Sequence, residues 1–158
     1  MLTMNLGQLM DRGGRAVSVL SADLGSFRGT RSTDTACMTM VDAIAEGVPS
    51  GQISFLQFNG VRLLPIRSAI PQLNQFVDLR EPRAARVIAR ARQMGDVLID
   101  LPPFSASADA LALATHADIV ILIAAESVTT SEDLNETCGK LRHAGANVLG
   151  AVLNRSRL

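Results

Sequence analysis

Short apolar runs alternate along this chain with segments whose apolar positions recur at helical spacing. Met1, Leu2, Leu6, Leu9 and Met10 lie close to the helical period, and Gly13-Gly14 closes that segment as a C-terminal cap does. Ala16 to Ala22 reads as a short apolar strand that ends at Asp23. Ser26 to Asp34 is polar and reads as a loop. Thr35 to Glu46 reads as a helix stopped by Gly47-Val48-Pro49. Ile53 to Phe58 is a second strand, Asn59-Gly60 a turn, and Val61 to Pro65 a short strand or extended piece. Pro71 to Asp78 follows neither period. Pro82 to Met94 is helical, with Pro82 suited to the first turn. Asp96 to Asp100 is a strand, Ala106 to His116 a helix, and Ile119 to Ala124 a buried strand. Thr130-Ser131-Glu132-Asp133 fits a capping box, which predicts a helix from there to Ala144. Asn147 to Leu153 is the last strand, followed by Asn154. This alternation, with few hairpin signals, predicts an α/β domain: a doubly wound, mostly parallel sheet with helices on both faces.

Composition narrows the picture. At 158 residues, the length predicts a single domain spanning 1–158, large enough for a real core. Apolar residues are 47% of the chain, but only five are Phe and none is Trp or Tyr. The core is therefore aliphatic, as suits a helix-covered parallel sheet. Fifteen basic residues balance fifteen acidic ones, which argues against a nucleic-acid-binding stripe or a polybasic membrane patch. Arg83, Arg86 and Arg90 share one helix face and read as a solvated surface. Cys37 and Cys138 have no metal-ligand spacing and read as reduced thiols. No apolar run reaches membrane-spanning length, and the first residues lack the basic and apolar regions of a signal peptide.

Three strand ends carry polar groups: Asp23, Asp100 and Asn154. In a parallel sheet the C-terminal strand ends share one edge, where such folds place ligand chemistry. A carboxylate pair, Asp23 and Asp100, suits Mg²⁺ and an attacking water. Asn154 with Arg155 suits the edge or face of a nucleotide base. The plain alternatives are a cap or turn for Asp23 and a turn residue for Asn154. His116 and His143 have no neighbouring Cys, Ser or second His in sequence, and read as helix-surface or helix-end residues. Asp109 and Asp118 flank a helix, and Thr129 and Thr130 start one.

Val97 to Arg155 resembles the C-terminal half of the bacterial tyrosine kinases and related ATPases of exopolysaccharide and capsule synthesis. More broadly it is similar to the deviant P-loop ATPases that include MinD and ParA. The residues that carry the likeness are Val97-Leu98-Ile99-Asp100-Leu101-Pro102-Pro103, the spaced Asp109, the Thr-rich turn at Thr129-Thr130, and Gly150-Ala151-Val152-Leu153-Asn154. The resemblance makes the first of these a Walker B segment. Asn5-Leu6, Gly14 and the run from Val17 to Asp23 fall into step with the family's first helix and second acidic motif. The likeness is weakest between Arg28 and Pro71.

By resemblance the fold is P-loop-NTPase-like, the cofactors are ATP and Mg²⁺, and Asp23 and Asp100 are the catalytic and metal-side acids. The partner implied is a membrane-embedded polysaccharide chain-length regulator, which would hold a cytoplasmic protein at the inner membrane face. A homo-oligomer is also implied, and no nucleic acid is expected. Three departures qualify this. The Gly-x-x-x-x-Gly-Lys-[Ser/Thr] phosphate loop expected just before Met1 is not in the sequence. Ser21 stands where the second acidic motif has its first Asp. The family's tyrosine cluster has no counterpart in a chain without Tyr. The expectation is a fragment or a degenerate member that does not hydrolyse ATP alone and binds it weakly. The alternatives are a MinD- or ParA-like positioning ATPase and a non-catalytic interaction module that keeps the fold.

Overall fold

In a computed structural model, residues 2–22, 38–67, 77–104 and 107–155 are described. Asp23, Cys37, the whole of the predicted 26–34 loop and most of the 71–78 segment lie outside them. The chain divides into two compact units, Met1–Pro102 and Pro103–Leu158.

The first unit contains α1 (Leu2–Arg12), β1 (Val17–Ser21), α2 (Met40–Ala45), β2 (Leu56–Phe58), β3 (Val61–Pro65), α3 (Pro82–Arg92) and β4 (Asp96–Asp100). Its sheet has the order β2-β3-β1-β4. β1 is parallel to both neighbours, with Ser21 opposite Pro65 on one side and Asp100 on the other. Every residue of β1 is buried, as a central parallel strand covered on both faces requires. Met4, Val17, Val19, Val61 and Leu63 form the core under α1, with Met10, Leu56, Phe58 and Leu98 packed against it. Gly7 is the buried α1 residue facing this core, where a Cβ would make ordinary contact with Val19 and Val61 at 3.5 Å. The opposite face runs toward α3: Arg62 donates from Nε to the buried Ser18 hydroxyl and from Nη2 to the Met94 carbonyl.

The predicted elements return with adjusted ends. The strand expected from Ile53 is shorter, because Ser50–Gln52 is a 3-10 turn and the ladder starts at Leu56. β2 and β3 pair antiparallel around Asn59-Gly60, so the sheet is mixed at this edge. Both turn residues have positive φ, +48° and +86°, the geometry in which an Asn-Gly pair joins twisted strands tightly. In α2 the helix begins only after Thr39, whose hydroxyl accepts from the Asp42 N–H while the Asp42 carboxylate accepts from the Thr39 N–H.

The second unit contains α4 (Ala108–Ala114), β5 (Val120–Ala125), α5 (Ser131–His143) and β6 (Val148–Asn154). β5 and β6 form a two-stranded parallel sheet, joined through α5. The capping box read from the sequence is present at Thr130 and Asp133. α4 is shorter than predicted because Ser107 caps it, its hydroxyl accepting from the Asp109 N–H.

Candidate functional site

The site of the first unit is built at one sheet edge. β1 and β4 run parallel and end together, which sets Ser21 beside Asp100. The Ala22 N–H donates to the Asp100 carbonyl at 2.9 Å, so the ladder continues to the last strand residue. Leu101-Pro102-Pro103 then leaves the sheet, since proline has no N–H to extend it. α1 starts at the same edge. Thr3, in its first turn, donates from Oγ1 to Asp100 Oδ1 at 2.7 Å. On the other carboxylate oxygen, Ser21 Oγ lies 3.4 Å away, a long hydrogen bond from a fully buried residue. Asp100 is half-buried and thus accessible from one side.

The result is a carboxylate flanked by two hydroxyls at the C-terminal end of a parallel strand, next to a helix N-terminus. An all-oxygen set of this kind suits a hard dication such as Mg²⁺ rather than a soft metal. Asp100 and the two hydroxyls would hold it, and Mg²⁺ bound there supplies charge for neutralising phosphate oxygens. No acidic residue lies in the first turn of α1 to oppose an anion.

Of the residues singled out from sequence, Asp100 stands at this edge. Asp23 lies outside the described residues, although Ala22 is the last described residue before it. Asn154 ends β6 in the second unit, opposite Ala125, and its carbonyl accepts from the Glu126 N–H at 3.1 Å. Arg155 Nε is 3.9 Å from Glu126 Oε1, a loose and largely exposed ion pair. Thr3 was not singled out by sequence reasoning. The signal for it existed, because helix N-termini and strand C-termini share an edge in such folds, which brings a first-turn hydroxyl near a strand-end acid. Ser21 was noted as a substitution, and its position in register with Asp100 gives that substitution a physical sense. A hydroxyl donates to the carboxylate, where a second carboxylate would repel it. Asp109 and Thr130 sit at helix starts, as read from the sequence.

Together these features define an α/β fold with a mostly parallel sheet, a fold shared with bacterial tyrosine-kinase domains and MinD. The chain superposes on the kinase domain of the Escherichia coli tyrosine kinase ETK with a TM-score of 0.77 at 19% identity, over 99% of this chain and 63% of that one. The VpsO kinase domain matches with a TM-score of 0.75 at 20% identity, over 98% and 77% of the two chains. The cell-division protein MinD of Aquifex aeolicus matches with a TM-score of 0.74 at 19% identity, over 99% and 63%. In sequence, the chain is similar to the "Putative tyrosine-protein kinase EpsB" of Ralstonia solanacearum, 36% identical over 77 residues. That stretch is 48% of this chain and only 10% of EpsB. No family model matches the chain.

Proposed function

We propose that this chain is a P-loop-ATPase-like module of exopolysaccharide or capsule synthesis, related to the bacterial tyrosine autokinases, with Asp100 as its Mg²⁺-side acid. The observation that carries the reading is the position of Asp100, at the end of a parallel strand and tied to the first turn of α1 by Thr3. The likeness of part of the chain to EpsB supports the biological setting. Asp23 is proposed as a second acid at the same edge, and Asn154 with Arg155 as contacts to a nucleotide base. In this reading Val97 to Pro103 is the Walker B segment, and the partner is a membrane-embedded chain-length regulator that holds the protein at the inner membrane face. The module also forms homo-oligomers.

These 158 residues by themselves bind ATP·Mg²⁺ weakly and do not hydrolyse it. Phosphate groups in this fold class are held chiefly by the backbone N–H groups and Lys of a glycine-rich loop, and no such loop occurs in this sequence. Three missing charge-assisted hydrogen bonds, at about 1.5 kcal/mol or more each, cost on the order of a thousandfold in affinity. Titration with a fluorescent ATP analogue and Mg²⁺ tests this. Expected is a dissociation constant on the order of hundreds of micromolar or weaker, worsened further by Asp100→Ala. Low-micromolar binding would overturn the weak-binding reading, and binding indifferent to Asp100→Ala would overturn the site. A MinD-like positioning ATPase is the second reading, supported by the comparable structural match to MinD.

A further inference from the structure

Helix α3 carries four arginines and no acidic residue in its eleven positions. Arg83, Arg86 and Arg90 fall within about 60° of one another around the axis and extend about 10 Å along it. The helix buries a different side, through Ala84, Val87, Ile88 and Ala91. Arg83 and Arg86 are exposed and Arg90 is half-buried.

A solvated helix face usually compensates its own charge, as α5 does. There Glu132 and Asp133 occupy the first turn, Lys140, Arg142 and His143 the last, and Lys140 pairs with Glu136. In α3 no acidic residue of the helix offsets Arg83, Arg86 and Arg90. Arg90 and Arg92 suit the C-terminal turn, but Arg83 and Arg86 lie toward the N-terminal end, where the helix dipole disfavours cations. Elsewhere Arg15 pairs with Asp96 and Arg80 with Asp78. Arg83 has only a long contact, 3.5 Å, to the Ile44 carbonyl. Arg90 reaches Gln93 Oε1 at 3.3 Å, and its buried Nε–H has no acceptor.

We propose that this arginine face docks on an anionic lipid surface through the headgroup phosphates. A convex helix cannot surround a small anion, but a plane of phosphates meets all three guanidiniums at once. Arginine suits that contact because its planar fork binds phosphate oxygens in pairs. The apolar side of α3 is already buried against protein, so docking involves no insertion and is reversed by salt.

Co-sedimentation of the whole 158-residue protein with vesicles tests this. The vesicles are phosphatidylcholine alone, or equal parts phosphatidylcholine and phosphatidylglycerol. Expected is partitioning onto the anionic vesicles only, abolished at about 0.5 M salt. Each arginine removed should weaken binding about fivefold, so R83Q/R86Q loses about 25-fold. The control K140Q/R142Q removes the same charge from α5 and should stay within about twofold of the parent. Thermal melts confirm folding, and R86Q alone serves if the double variant unfolds. The proposal is overturned by no binding to anionic vesicles at low salt, by equal binding to neutral ones, or by equal losses in the α3 and α5 variants. Tighter binding to duplex DNA at matched phosphate concentration, lost in R83Q/R86Q, would assign the face to nucleic acid instead and also overturns it.

Discussion

Thr3 and Asp100 are 97 positions apart in sequence and joined by a 2.7 Å hydrogen bond. A hydroxyl donating to a carboxylate contributes about 1.5–3 kcal/mol in favourable cases, and the half-exposed site sets the value toward the lower end. A double-mutant cycle with Thr3→Val and Asp100→Asn, followed by urea unfolding, should give a coupling of about 1 kcal/mol. Strict additivity of the two substitutions would show that the bond contributes nothing in solution. Gly95 makes a sharper residue-scale case. Its φ is +140°, and a Cβ there would lie 2.1 Å from the Ala16 carbonyl oxygen, backbone that cannot step aside. Gly14 also has positive φ, +81°, but open space around it. Gly95→Ala should therefore cost about 3 kcal/mol or more, and Gly14→Ala about 1–2 kcal/mol. Equal effects in thermal melts would contradict the close approach of the chain before β4 to the chain before β1.

Among the elements, α5 has the clearest start signal and the most testable one. Thr130 Oγ1 accepts from the Asp133 N–H, while the Asp133 carboxylate accepts from both the Thr130 N–H and its hydroxyl. Those hydrogen bonds, the backbone one first, hold the Asp133 carboxyl below its ordinary pKa of 3.8. A depressed folded pKa gives stabilisation that is present above the unfolded value and lost as pH falls through the folded one. Protection of the α5 first-turn amides from exchange should thus drop below about pH 4. In Asp133→Asn that step should disappear, and an unchanged pH profile would count against the capping role. Thr130→Ala should cost about 1 kcal/mol at neutral pH. The α3 arginines teach the opposite lesson at this scale. The common face of Arg83, Arg86 and Arg90 was legible from spacing alone, but the buried Arg90 Nε–H without an acceptor and the long reach of Arg83 to the Ile44 carbonyl required coordinates.

Each of the two units, taken by itself, carries apolar strand surface that its own described residues leave uncovered. Within the first unit, β4 has Val97, Leu98 and Ile99 between its acids and ends the strand order beside β1. Within the second unit, β5 pairs with β6, and Ile121, Ile123 and Val152 are 47%, 50% and 46% exposed on one face of that sheet. Strands apolar on both sides are those that normally lie inside a parallel sheet, and open edges invite association. The 158-residue protein should self-associate with rising concentration in size-exclusion chromatography with light scattering, and ATP·Mg²⁺ should not raise its melting temperature. A sharp monomer with a high melting temperature would show that these surfaces are covered in solution.

What the sequence by itself determined was local. Helical spacing placed α1, α3 and α5. Apolar runs placed the strands, and Asn59-Gly60 and Thr130-to-Asp133 marked a turn and a cap, because each depends on residues within a few positions of one another. The strand-end position of Asp100 was equally legible, since an apolar run meeting an acid and two prolines has few other readings. Only the tertiary structure decided that β2 turns back antiparallel on β3, since apolar alternation does not encode strand direction. It also decided that Ser21 stands beside Asp100 and that Thr3 reaches it from α1. Those pairings rest on register and on where a helix enters the sheet edge, set by core packing between segments far apart in the chain.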